Sequence, residues 1–207
     1  MATFWYWYFK VREEPTPPPP PLIETEQELI IPAALISTQA SRVLEISSLS
    51  QILKEDLDDN QFTRLIIKDL EENRVLGLKE LFAAFEVKTP ETFYDKVDND
   101  FTLFIYSSRG VNRLGFITEV KEVDLLSLLK YWENTMEKDF ETFSVFLGKT
   151  GPSLISSFRE VTYKNAVFRC LSFPPENFGI CWAITDKYFI LTFSGESMIE
   201  TIDNIKK

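Results

Sequence analysis

Hydrophobic positions along the chain change period several times, and each change marks an element. From Ser48 to Leu57, Leu49, Ile52, Leu53 and Leu57 recur at three- and four-residue intervals, which places them on one helical face. Phe62 to Asp69 alternates and is β-branched enough for a strand. The turn Glu71-Glu72-Asn73 leads to Arg74–Leu76, after which Leu78, Leu81, Phe82 and Phe85 line a second helix. Phe101–Tyr106 is apolar on both faces, as a buried central strand is. Ser107–Gly110 turns the chain into a return strand, Asn112–Val120. The longest helical stripe follows in Leu125, Leu128, Leu129, Trp132, Met136, Phe140 and Phe143, with Asp124 as its N-cap. Beyond a loop at Gly148–Pro152 comes a three-strand meander: Tyr163–Phe173, Gly179–Thr185 and Tyr188–Phe193. Ser194-Gly195 then opens a final helix ending near Ile205. Upstream, Leu29-Ile30-Ile31-Pro32 reads as a short edge segment closed by proline, and Arg42–Ile46 as a short strand.

Strand–turn–strand–helix therefore recurs at 62–85, 101–143 and 179–205, without a residue-level repeat. Helices alternating with hairpins, and no βαβ crossover required, predict an α+β fold. Its sheet is mainly antiparallel and built from hairpins, with helices packed on one face. One such domain spans residues 29–207.

The first 28 residues follow another pattern. Residues 1–12 contain six consecutive aromatics, Phe4, Trp5, Tyr6, Trp7, Tyr8 and Phe9, followed by Lys10 and Arg12. A bilayer-crossing helix needs about 20 apolar residues, so this run cannot span, and it lacks the form of a secretory signal. One expectation is a membrane-interface segment, the remnant of an anchor, with the aromatics as an interfacial belt and the two cations at the headgroups. The other is an aromatic strand on the domain's own sheet. Residues 13–28 are a linker: Pro15 and Pro17–Pro21 supply six of the eleven prolines within seven residues. Such a tract adopts polyproline II, about 3.1 Å per residue, and works as a stiff spacer. Its flanking Glu13, Glu14 and Glu24 disfavour an SH3 or WW ligand.

Charge narrows the classes of partner. The chain carries 22 Lys+Arg against 32 Asp+Glu, and everything after residue 12 has a net charge of −12. That balance argues against a nucleic-acid partner, because phosphate binding needs a basic footprint. An acidic body on a short basic neck suits a domain held off an anionic membrane. Lys10 and Arg12 favour a cytoplasmic body by the positive-inside tendency; Glu13 and Glu14 offset them, and the expectation is an extracytoplasmic domain.

The chain has no histidine, which removes every His-based triad and His-containing zinc site. Ser127-Leu-Leu-Lys130 matches S-x-x-K and Lys149-Thr-Gly151 matches K-T-G, the pair used by penicillin-binding proteins. They stand too close in sequence, and K-T-G falls in a predicted loop beside Pro152. A Ser/Lys hydrolase using Ser127 and Lys130, or Ser194 or Ser197 with a lysine, is the enzymatic alternative. Ser194-Gly195-Glu196-Ser197 joins a strand to a helix like a nucleophile elbow, but Ser197 with Glu200 also fits a capping box. Asp56, Asp58, Asp59, Asp98 and Asp100 lack the loop glycine of a calcium site. Glu133, Glu137 and Glu141 read as the solvent face of the long helix. No residue set calls for a metal or cofactor.

Two features invite direct inspection. If Pro174–Asn177 is a four-residue hairpin loop, Cys170 faces Cys181, close enough for a disulfide; the alternative is a pair of buried thiols. Arg109 and Arg113 bracket a hairpin turn and form a candidate recognition tip.

Phe101-Thr-Leu-Phe-Ile-Tyr-Ser, Asn112-Arg-Leu-Gly-Phe-Ile and Tyr188-Phe-Ile-Leu-Thr-Phe-Ser-Gly-Glu-Ser-Met-Ile resemble stretches of uncharacterised bacterial proteins, particularly of candidate-phylum bacteria. In those proteins a membrane segment and a proline-rich linker precede one α+β domain. The resemblance covers roughly residues 29–205 and implies a membrane-anchored domain with no catalytic residues to carry over. The expected function is a non-enzymatic, membrane-tethered domain that binds or scaffolds an envelope protein. A soluble cytosolic domain with the aromatic run as a core strand is the further alternative.

Overall fold

The structure, a computed structural model, describes residues 38–69, 72–122 and 124–205. The aromatic run, the proline linker, the Leu29–Pro32 segment and part of the first turn lie outside the described residues. The elements in order are β1 (Thr38–Leu44), a 3-10 turn (Ile46–Ser48), α1 (Leu49–Ile52), β2 (Gln61–Asp69), β3 (Arg74–Val75), α2 (Leu78–Ala84), α3 (Phe93–Lys96), β4 (Val97–Ser108), β5 (Val111–Val120), α4 (Leu125–Asp139), α5 (Glu141–Phe146), β6 (Arg159–Tyr163), β7 (Ala166–Phe173), β8 (Phe178–Thr185), β9 (Tyr188–Thr192) and α6 (Gly195–Ile205).

This is an α+β arrangement around a mostly antiparallel sheet. Strands run β1-β2-β4-β5-β9-β8-β7-β6, with β3 paired to β2 outside that path. β1 and β2 are parallel, joined across the short α1. The pairing corrects the expectation that no crossover is needed: α1 supplies about one turn of helix where the stripe Leu49–Leu57 suggested more. Asn112 explains the early stop, since its side-chain amide donates to the carbonyls of Leu53 (3.2 Å) and Glu55 (2.8 Å) and so satisfies orphan acceptors at the helix end.

Alternation along the strands divides the core between two faces. Leu103, Ile105, Phe116, Leu191 and Trp182 face α2–α5, where Leu81, Phe82, Leu129, Trp132, Met136 and Phe143 meet them. Phe104, Tyr106, Ile117, Ile190 and Ala183 point the other way and pack under Met198 and Ile202 of α6. Helices on one face was therefore the wrong expectation: α6 covers the reverse side, because Ser197, Met198, Thr201 and Ile202 form its own buried stripe. Gly115 belongs to that second layer. A Cβ there would lie 2.4 Å from Cζ of Phe104, so only glycine lets the ring cross the β5 backbone.

Two further boundaries differ from expectation. The long stripe breaks at Phe140 into α4 and α5, and Phe140 and Phe143 stay fully buried across the break. At the end of α4 the Asp139 carboxylate is engaged from behind, accepting from the Trp132 indole N–H (2.9 Å) and the Thr135 hydroxyl (2.6 Å). Asp124 occupies the N-cap position but makes no cap bond; its carboxylate pairs with Lys96 at 2.8 Å. The strand expected from Tyr163 starts earlier as β6, which hairpins into β7 across Lys164, held at φ 51°. The meander thus has four strands.

Candidate functional site

An open groove of about 520 Å³ lies between the first turns of α4 and the outer strands. Leu126 and Lys130 form its helical wall, and Val167, Trp182 and Ile184 line the sheet side. Leu126 and Val167 are nearly half exposed, at 46% and 47%, so each presents apolar surface to solvent. β6 borders the groove as the last strand of the sheet, and its outer edge pairs with no other strand among the described residues. Four of its five residues are exposed.

The floor is held by one carboxylate. Glu133 of α4 accepts two parallel bonds from the Arg169 guanidinium, one through Nε and one from Nη2 at 2.9 Å, and also the Trp182 indole N–H at 3.1 Å. Arg169 reaches Glu160 of β6 at 3.2 Å with Nη1 and the Phe158 carbonyl at 3.4 Å with Nη2. The hydrogen bonds to Glu133 hold the Arg169 pKa above its ordinary value. Helix, inner strand and edge strand are thereby locked around a planar, bidentate pair. The reading of Glu133, Glu137 and Glu141 as a solvent face is overturned for Glu133 and holds in part for the other two, since Glu141 stays 53% exposed. Glu133 turns to the sheet, and Glu137 and Glu141 both bind Lys149.

Lys149 marks a second recess, about 700 Å³, lined by Glu137, Glu141, Thr150 and Gly151. Its amine is enclosed, 3.3 Å from Glu137, bonded to Glu141 and 4.8 Å above the Phe173 ring. The K-T-G match is therefore a loop clamp. Ser127 is exposed on α4 and is not among the residues lining the groove. It lies ten residues before Glu137, roughly 15 Å along the helix, so the two penicillin-binding look-alikes occupy different ends of α4. Ser194 is fully buried and accepts the Ser197 N–H at 3.0 Å; it is the cap of α6.

The hairpin tip separates its two arginines. Arg109 (φ 53°) and Gly110 (φ 72°) make a two-residue turn, and the Gly110 N–H is held by Asp59 at 3.1 Å. Arg109 is exposed at the apex. Arg113 belongs to the base: Nε donates to the Asn177 carbonyl at 2.8 Å, and the guanidinium stacks 5.3 Å from the Phe178 ring. Burial lowers its pKa. Asp98 and Asp100 lie where β4 shifts register against β5, their carbonyls both accepting from the Thr118 hydroxyl. Among the described residues no cluster of acids and thiols is arranged to hold a metal.

Cys170 stands opposite Cys181 in the β7–β8 register, beyond the loop that leaves Phe173 opposite Phe178. The two sulfurs form a disulfide. The protein unfolded without reductant is expected to show no titratable thiol. Replacing both cysteines by serine is expected to cost roughly 2–3 kcal/mol, from the entropy of so short a loop. Two free thiols in unreduced protein would contradict the bond.

Phe4–Phe9, Lys10 and Arg12 lie outside the described residues, and among those described no helix is long and apolar enough to cross a membrane. Sequence reasoning missed the Glu133–Arg169–Trp182 lock. The available signal was Arg169 itself, a lone cation inside the apolar run Val167–Phe173. No protein-family model, no curated protein and no solved structure matches the chain.

Proposed function

We propose that this chain is a non-enzymatic binding domain, tethered to a membrane through residues 1–12 and working outside the cytoplasm on another envelope protein. The groove beside β6 carries the reading: a strand edge unpaired among the described residues, next to exposed Leu126 and Val167, suits an extended segment of a partner, which adds backbone hydrogen bonds at β6 and seats side chains in the groove. The Cys170–Cys181 bond supports an oxidising compartment. Lys149 is engaged by Glu141 and Ser194 by the Ser197 N–H, which counts against a hydrolase built on those two groups.

The test is site-specific photo-crosslinking in intact cells of the native host, with the probe at Val167 and, separately, at Arg109. A discrete adduct from Val167, lost when Leu126 is changed to Arg, is the expected result. Adducts from Arg109 alone would move the binding surface to the hairpin tip. Recovery of the chain in the soluble fraction, with residues 1–12 present, would remove the tether.

A further inference from the structure

The reverse face of the sheet carries an unexplained charge. Arg64 of β2 lies opposite Phe104 of β4, so its side chain is on the α6 side, and it is only 5% exposed. Its Nη2 is buried and meets no acceptor among the described residues. The surroundings are aromatic: Phe62 stands two residues away on the same face, 5.4 Å from Phe104 and 4.9 Å from Tyr106, ring centre to ring centre. Burial with no compensating acid holds the Arg64 pKa below its usual value. Three acids near this face are already engaged, while Glu200 and Asp59 act on Tyr106 and burial alone acts on Arg64. Glu196 takes the Ser108 hydroxyl and the Asn177 amide, Asp203 takes Tyr163 and Lys164, and Glu119 takes Lys187.

A guanidinium cannot shed its proton, so an unpaired one in an apolar site is costly unless something pairs with it. We propose that Arg64 is a receptor for a single carboxylate, bound side-on through two N–H donors against the Phe62–Phe104–Tyr106 wall. One carboxylate fits better than a phosphate group. Lys68, on the same face of β2, is four residues and roughly 13 Å along the strand, and a doubly charged group would want a second cation at once. Two sources supply this chemistry: a free or partner-borne acid, or the chain's own Glu24-Thr25-Glu26-Gln27-Glu28, which precedes β1, the strand next to Arg64.

Thermal unfolding of the full chain in acetate, against chloride at equal ionic strength, separates them. If the acid comes from outside, wild-type protein gains about 5 °C at roughly 0.2 M acetate for a Kd on the order of 10 mM, and Arg64→Met gains nothing. If it comes from the chain, wild type is indifferent. The triple variant Glu24→Gln, Glu26→Gln, Glu28→Gln then melts several degrees lower, and acetate restores it. Where Arg64→Met does not fold, Arg64→Lys, which keeps the charge without the planar fork, takes its place and is expected to lose most of the response. Absence of any acetate effect on both wild type and the triple variant overturns the proposal, as does an equal effect on Arg64→Met.

Discussion

Glu133→Ala is expected to destabilise the folded protein by roughly 3–5 kcal/mol. The carboxylate is 12% exposed and Arg169 19%, so most of the pair is out of water. Removing it strands two donors. The Trp182 indole N–H, on a side chain 2% exposed, loses its acceptor, and Arg169 keeps only the half-exposed Glu160 and a long bond to the Phe158 carbonyl. Urea titration would register the loss as a lower midpoint with an unchanged slope. Glu133→Gln keeps an acceptor but loses the charge, and is expected to fall about halfway. The diagnostic is a double-mutant cycle: Arg169→Ala should cost far less in the Glu133→Ala background than alone, with a coupling of about 1–3 kcal/mol. Additive costs would mean that the three side chains do not act as one lock, and the groove floor would have to be held by packing instead.

That lock also marks where sequence and structure part. The apolar stripes were legible because burial imposes a period: every residue named on the Leu125–Phe143 stripe except Leu128 is fully or almost fully buried, even though the helix breaks at Phe140. The antiparallel hairpin of β7 and β8 was legible because a four-residue loop fixes which residues face each other, hence Cys170 against Cys181. Glu133, and in part Glu137, was misread for an equally physical reason. An i, i+4 row of glutamates looks the same whether it faces water or cations brought from Arg169, 36 residues on, and from Lys149 in the loop that follows the helices. The side of the sheet on which α6 packs was hidden likewise, since a helical stripe states that a face is buried and not against what. The groove has no sequence signature, because it is made by what three elements leave open.

Phe116→Ala is the second large effect, expected at about 4 kcal/mol and a fall in melting midpoint of roughly 8–16 °C. Phe116 is fully buried near the middle of β5. Its ring makes edge-on contacts with Phe82 of α2 at 5.4 Å, Phe189 of β9 at 5.8 Å and Phe101 of β4 at 6.2 Å. Those partners belong to three different elements, so the cavity left by alanine cannot be closed by a single side chain moving in. The protein would have to shift α2 against the sheet, and close packing resists that. Phe116→Leu leaves a smaller void and is expected to cost about 1.5–2 kcal/mol, mostly lost ring contacts. Tyr131→Ala provides the contrast: at 73% exposure on α4 it should change stability by no more than about 0.5 kcal/mol. If Phe116→Ala costs under roughly 1.5 kcal/mol, the aromatic layer between α2 and the sheet is loosely packed. The groove-side lock would then carry a larger share of the fold than the core does.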